Sequence, residues 1–352
     1  MSFNRVYISA SAKANQYILA EIRVTDELLS HYPDYESCFR PLSRKVFELA
    51  DKLDLRNVHV ITNDKLPVVR FSEEAYRFQT PEQILFFYNP EYHGAQDSLY
   101  KLNYRPRKIR LLFLATDTEI RANSAKFHEK VLNLLQELLP LLPVTDLQVK
   151  VRDHQHLSYD LFARDKGKKE TYGYKLRALH QRYKTRGVEI PDDHSALTYA
   201  KVSLPLSRKL RKQILPDGAN DYSPLYQWLE EQFKKSAAAR KVTRLALLAN
   251  NLTPIVRNSR YDKLESTEEL QMIGFDPTSE EQQFISHWEA ENLAESVNLI
   301  LVAGRNDRND IGYARFMNQV EEVLKQFAQA IGLEPAKEDM IVRFHQHISY
   351  RL

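Results

Sequence analysis

The chain has 352 residues, 43% of them hydrophobic, and a formal net charge of +3. That is material for two ordinary domains with real cores, and it excludes wholesale disorder. Nine glycines without a GxGxxG or Walker-type run argue against a glycine-loop nucleotide fold, and a single cysteine, Cys38, excludes an intrachain disulfide or a cysteine-based zinc site.

No apolar run approaches membrane-spanning length, and Met1 to Ala12 lacks the basic flank and apolar core of a signal peptide. The expectation is a soluble cytoplasmic protein with no membrane partner. Charge is distributed unevenly: Arg164 to Arg186 holds nine Lys/Arg and two acids, whereas Glu265 to Glu295 holds nine acids and no Lys/Arg.

Taken in chain order, Arg5 to Ser11 and Tyr17 to Val24 read as strands. A helix follows from about Phe39 to Leu53, with Phe39, Leu42, Val46, Leu49 and Leu53 at helical spacing. Then come a strand Val58 to Thr62, an aromatic-rich insertion from Phe71 to Lys108, a strand Ile109 to Ala115 and a helix Ala122 to Leu139 that Pro140 and Pro143 end. The order recurs as strand Tyr199 to Leu204, helix Pro224 to Ala237, strand Thr243 to Ala249, insertion Asn258 to Ser296, strand Val297 to Ala303 and helix Ile311 to Ile331. Thr80-Pro81-Glu82-Gln83 and Ser266-Thr267-Glu268-Glu269 look like helix starts, so the insertions are expected to be helical hairpins packed over each domain.

The recurrence is a duplication. Asp34-Tyr35, Phe39, Asn63, Pro67, Val69 and Arg70 match Asp221-Tyr222, Tyr226, Asn250, Pro254, Val256 and Arg257 at a shift of 187. Leu111 matches Leu299 at 188, Phe127 matches Phe316 at 189, and Ala20 is matched with Ala200. Strand-helix-strand written twice per copy is the split βαβ pattern, so the expected class is α+β, an internal duplication of a ferredoxin-like unit. Copy one spans 1–162 and copy two 196–352, with a basic linker over 163–195. In such a unit both helices cover one sheet face, and the other face is left free for a partner.

The most chemically loaded feature closes each copy at a shift of 191: Arg152-Asp153-His154-Gln155-His156-Leu157-Ser158-Tyr159 and Arg343-Phe344-His345-Gln346-His347-Ile348-Ser349-Tyr350. Both follow an alternating apolar run and read as strands. The two-residue period then places His154, His156 and Ser158 on one face and Gln155, Leu157 and Tyr159 on the other. His156-Leu157-Ser158-Tyr159 and His347-Ile348-Ser349-Tyr350 resemble the motif pair of the two-histidine phosphoesterases. The resemblance implies His156 and His347 as acid and base across one cleft, with Ser158 and Ser349 on the phosphate and no metal or other cofactor. His154 and His345 lie outside that pattern as auxiliary residues. Histidines at i and i+2 on a strand also resemble the metal-binding pair of the rolling-circle nucleases. A third reading makes the histidines structural.

The basic segment interleaves Arg164, Lys166, Lys168, Lys169, Lys175, Arg177, Arg182, Lys184 and Arg186 with Tyr172, Tyr174 and Tyr183. Cations neutralise phosphates and aromatics stack on bases, so this composition points to single-stranded nucleic acid, RNA ahead of DNA, held in the groove between the copies. Phosphodiesterase or nuclease activity is the enzymatic alternative. A protein scaffold, or self-association of acidic 265–295 with basic 164–186, is the other. Reversing charge at Lys168, Lys169, Lys175 and Arg177 is expected to weaken oligonucleotide binding and to flatten its salt dependence, read by electrophoretic shift at two salt concentrations.

Overall fold

A computed structural model describes residues 8–9, 13–70, 83–87, 95–101, 103–144, 148–163, 166–167, 170–171, 195–257, 270–276, 279, 281–304, 310–335, 337 and 340–352. The first half of the chain runs β1 (Ile8–Ser9), β2 (Lys13–Arg23), α1 (Asp26–Ser30), α2 (Tyr35–Lys52), β3 (Asn57–Thr62), β4 (Leu66–Arg70), β5 (Gln83–Phe87), β6 (Ala95–Tyr100), β7 (Lys108–Leu114), α3 (Asp117–Leu138) and β8 (Val149–Asp160). The second runs β9 (Glu170–Thr171), β10 (Ser195–Pro205), α4 (Arg208–Arg211), α5 (Ser223–Ala238), β11 (Arg244–Ala249), β12 (Thr253–Arg257), β13 (Leu270–Gly274), β14 (Gln283–Trp288), β15 (Ser296–Val302), α6 (Asp310–Ala330) and β16 (Ile341–Arg351). The architecture is mixed α+β and dominated by a large mixed sheet. Among the described residues no helix is long and apolar enough to cross a membrane.

The chain forms two compact units that are not consecutive stretches. The N-terminal unit is Ala14–Gln155, Arg186–Ser195 and His347–Leu352; the C-terminal unit is Met1–Lys13, His156–Thr185 and Ala196–Gln346. The division therefore falls inside β8 and inside β16.

In the N-terminal unit the strand order is β8-β2-β7-β3-β6, with the last residues of β16 beside β8. β2 and β3 both run antiparallel to β7, while β6 is parallel to β3. β7, reading KIRLLFL, is buried from Ile109 to Leu114, as a strand covered on both faces must be. α2 starts at a capping box in which the Asp34 carboxylate accepts from the Ser37 N–H at 2.7 Å. It buries Cys38, Phe39, Leu42, Val46, Leu49 and Ala50. Burial pushes the Cys38 thiol up to about 11, leaving an inert core cysteine.

In the C-terminal unit the order is β14-β11-β15-β10-β16, with the end of β8 beside β16. Here too the edge strand β14 is parallel to its neighbour β11, and β15 is antiparallel to both β10 and β11. Pro224 sits in the first turn of α5, where its missing N–H costs nothing, and Phe233 of α5 meets Phe327 of α6 edge-on with ring centroids 5.7 Å apart.

Two expectations are corrected. The described parts of the insertions are strands rather than helical hairpins: β4 pairs parallel with β5, β12 pairs parallel with β13, and β6 and β14 extend the sheet. The expected helix starts lie outside the described residues, apart from Gln83, which opens β5. Nor is the face opposite the helices free in the C-terminal unit. Val256 of β12, Ile273 of β13 and Phe275 just after it pack there on Leu197, Tyr199, Ala246, Leu248, Ile300 and Val302. Those sheet residues are apolar on that face, and burying them against strands satisfies a need the helix signals did not reveal. Truncating the fully buried Phe327 to Ala is expected to cost about 3–5 kcal/mol of stability, measured by urea denaturation.

Candidate functional site

Along β8, Asp153, Gln155, Leu157 and Tyr159 are buried, while Arg152, His154, His156 and Ser158 are half-exposed. β16 alternates likewise, with Phe344, Gln346, Ile348 and Tyr350 buried and His345, His347 and Ser349 half-exposed. The two-residue period thus acts as the sequence implies, and the imidazoles occupy the face away from the helices.

Among the described residues, each unit brings one tyrosine and two histidines together on that face. In the N-terminal unit Tyr17 lies flat against His154, with centroids 4.5 Å apart and planes at 9°, and His154 meets His347 at 4.4 Å and 59°. In the C-terminal unit Tyr199 lies flat against His345 at 4.5 Å and 7°, and His345 meets His156 at 4.5 Å and 60°. His154 and His345, auxiliary by the phosphoesterase pattern, are therefore the central ring of each cluster. His156 and His347, which that pattern needs as a pair, belong to different units.

The tyrosines went unnoticed in the sequence because the first strands were matched at Ala20 and Ala200. In the sheet, Tyr17 stands opposite Leu114 and Tyr199 opposite Val302, and Leu114 and Val302 are matched at the sequence shift of 188. The equivalent residues are thus Tyr17 and Tyr199, two places away from the sequence match. Searching for an aromatic at the same face position in both first strands would have found them.

Cations flank the cluster of the N-terminal unit. Glu21, with a side chain only 4% exposed, takes Arg110 at 3.0 Å, Lys108 at 3.3 Å and Arg152 at 2.9 Å. Burial pushes its carboxyl up, but Arg152, Lys108 and Arg110 together outweigh burial and hold it below the ordinary carboxylate range. Lys150, on the same face of β8, is pushed below the usual lysine range by partial burial and by the neighbouring Arg152, Lys108 and Arg351, despite Glu21. One carboxylate among five cations leaves a positive surface beside the rings.

Beneath the face lies a buried polar network. Asp153, 0% exposed, accepts from the Gln16 amide at 3.1 Å and lies 2.8 Å from His128 Nδ1, whose Nε2 is 2.9 Å from the Tyr350 hydroxyl. The C-terminal unit has Met317 and Phe344 at the positions equivalent to His128 and Asp153, and Tyr159 there donates to Glu321 at 2.6 Å. Among the described residues the network belongs to the N-terminal unit.

A family model described as a protein of unknown function, DUF3083, matches residues 37–350. The chain belongs to the DUF3083 family. No curated protein matches it. The crystal structure of aldoxime dehydratase is similar at a TM-score of 0.22 and 6% identity, covering 98% of this chain and 88% of that one, and a likeness so slight carries no argument.

Family membership names no ligand, so chemistry rests on the groups themselves. Among the described residues of the N-terminal unit, ring nitrogens of His154 and His347 lie within 4.8 Å of each other, near enough for both to reach one borderline transition-metal ion after a small rotation. Of the sequence-derived nucleic-acid residues, Lys168, Lys169, Tyr172, Tyr174, Lys175, Arg177, Arg182, Tyr183, Lys184 and Arg186 all lie outside the described residues.

Asp153→Ala is expected to cost about 3–5 kcal/mol, because His128 and Gln16 lose their buried acceptor, whereas Asp153→Asn, which keeps one acceptor oxygen, costs less; denaturant midpoints at pH 7 decide. Glu21 supplies a pH signature. Its folded-state value is depressed, so its ion pairs contribute fully above the unfolded value of about 4.3 and are lost as pH falls through the folded one. Stability of Glu21→Gln should lie below that of the parent at neutral pH and approach it in acid.

Proposed function

We propose that this is a cytoplasmic protein that binds single-stranded nucleic acid, RNA ahead of DNA, on two copies of a ferredoxin-like unit spanning 1–162 and 196–352. In support of the duplication, the strands stand in equivalent order, β8-β2-β7-β3 in one unit and β16-β10-β15-β11 in the other. Numbered by position within a copy, that order is fourth, first, third, second, and a helix follows the first and third strands in each, as a split βαβ unit requires.

The observation that carries the binding reading is the ring cluster Tyr17–His154–His347, half-exposed on a sheet face beside Lys108, Lys150, Arg152 and Arg351. Planar rings on strands offer stacking surfaces to unpaired bases, and cations along the same face neutralise the phosphates between them. The cluster of the C-terminal unit offers less. Tyr199 is only 7% exposed, so there the half-exposed His345 and His156 are the rings within a base's reach. RNA is favoured over duplex DNA because a sheet face reads splayed bases rather than grooves.

Fluorescence anisotropy with labelled 12-nucleotide RNA and DNA tests this. His347→Ala should weaken RNA binding about tenfold with an unchanged salt slope, since a lost stacking surface is worth about 1–3 kcal/mol. Lys150→Ala should reduce the slope by about 0.7. No binding of either oligomer by the parent protein at low salt would retire the proposal in favour of a protein scaffold.

A further inference from the structure

A cavity of about 560 Å³ opens in the C-terminal unit, where Glu230 of α5, Asn250, Gln271 and the end of β14 at His287, Trp288 and Glu289 line it. It lies at the carboxyl ends of the parallel pair β11 and β14, where Ala249 stands beside Trp288. Crevices beyond the carboxyl ends of parallel strands are favoured ligand sites.

Three of the donors around it are already committed. The Trp288 indole N–H donates to Glu230 Oε1 at 2.6 Å, the Ser286 hydroxyl donates to the same oxygen, and the Asn250 amide donates to Gln271 Oε1. Lys234 reaches Glu230 Oε2 only at 3.5 Å, and its ammonium stands over the Phe284 ring at 3.8 Å. Burial holds the His287 imidazole below its ordinary value, so it is neutral at pH 7. Beside the amides of Asn250 and Gln271, what faces the cavity is therefore an indole surface, a neutral imidazole and two carboxylates, with no cation among the described lining residues.

The other copy shows that the fold does not need this charge. Ser43, Ser98, Tyr100 and Lys101 occupy the positions of Glu230, Ser286, Trp288 and Glu289, and the Ser43 and Ser98 hydroxyls bond each other at 2.9 Å. Helix and edge strand are joined there without an acid, and the last position carries the opposite charge.

We propose that this cavity binds a small organic ammonium ion, with Trp288 as its aromatic wall and Glu230 and Glu289 as its counter-charges. The pairing is the general one of an ammonium group with an indole face and carboxylates, in a space of small-molecule size. It is independent of nucleic-acid binding.

The test is calorimetric titration of the full chain with choline and with its neutral isostere 3,3-dimethylbutanol. Choline should bind saturably and the isostere at least about tenfold more weakly. Glu289→Gln, an exposed and structurally mild change, should weaken choline about tenfold and leave RNA anisotropy unchanged. Trp288→Phe, which removes the indole N–H and narrows the wall, should weaken it as well, with folding checked by circular dichroism. Absence of saturation up to about 10 mM choline, or equal affinity for the isostere, overturns the proposal.

Discussion

Asp153, wholly buried on the helix side of β8, is held by Gln16 and His128, and this anchor determines how every other residue of the strand points. A slip of one residue would bury His154 and His156 beneath the helices and expose a carboxylate with its partners left behind. Valines at 149 and 151 and Leu157 enforce the same register by burial. The half-exposed imidazole row is thus a consequence of what lies beneath it.

The two units share a frame and differ in chemistry. One fills the space between β-strand and helix with Asp153 and His128, the other with Phe344 and Met317, and Phe344 meets Phe316 edge-on at 6.3 Å. One solution is a buried polar network in which Asp153, His128, Gln16 and Tyr350 are joined by hydrogen bonds, and the other is an apolar cluster that has no polar group to satisfy. The same divergence appears at the edge strands, where a serine pair in one unit stands in for Glu230, Ser286 and Trp288 in the other. The strand order is shared, and these polar differences give the two units different surfaces.

The segments packed over the sheet decide which rings keep their exposure. In the C-terminal unit β12 and β13 bury Tyr199 and its neighbours, so of that cluster His345 and His156 keep the exposure. In the N-terminal unit Phe86 of β5 packs on His59 at 4.6 Å, while Tyr17 remains half-exposed beside the cations gathered at Glu21. Equivalent strands therefore present different surfaces, because the insertions above them differ.

Local period and capping chemistry are written in neighbouring residues, and those parts were legible in the sequence. The four long helices and the main strands begin and end within about five residues of where their apolar spacing put them, and the alternation of β8 and β16 put the histidines on one face. The pairing of His154 with His347 and of His156 with His345, the stacking of Tyr17 and Tyr199, and the meeting of Glu230 with Trp288 join residues far apart in the chain. Only the strand order and register bring them together. The insertions were misjudged for the same reason. A short apolar run such as that of β13 suits helix or strand equally, and it is the apolar sheet face beneath it that makes it a strand.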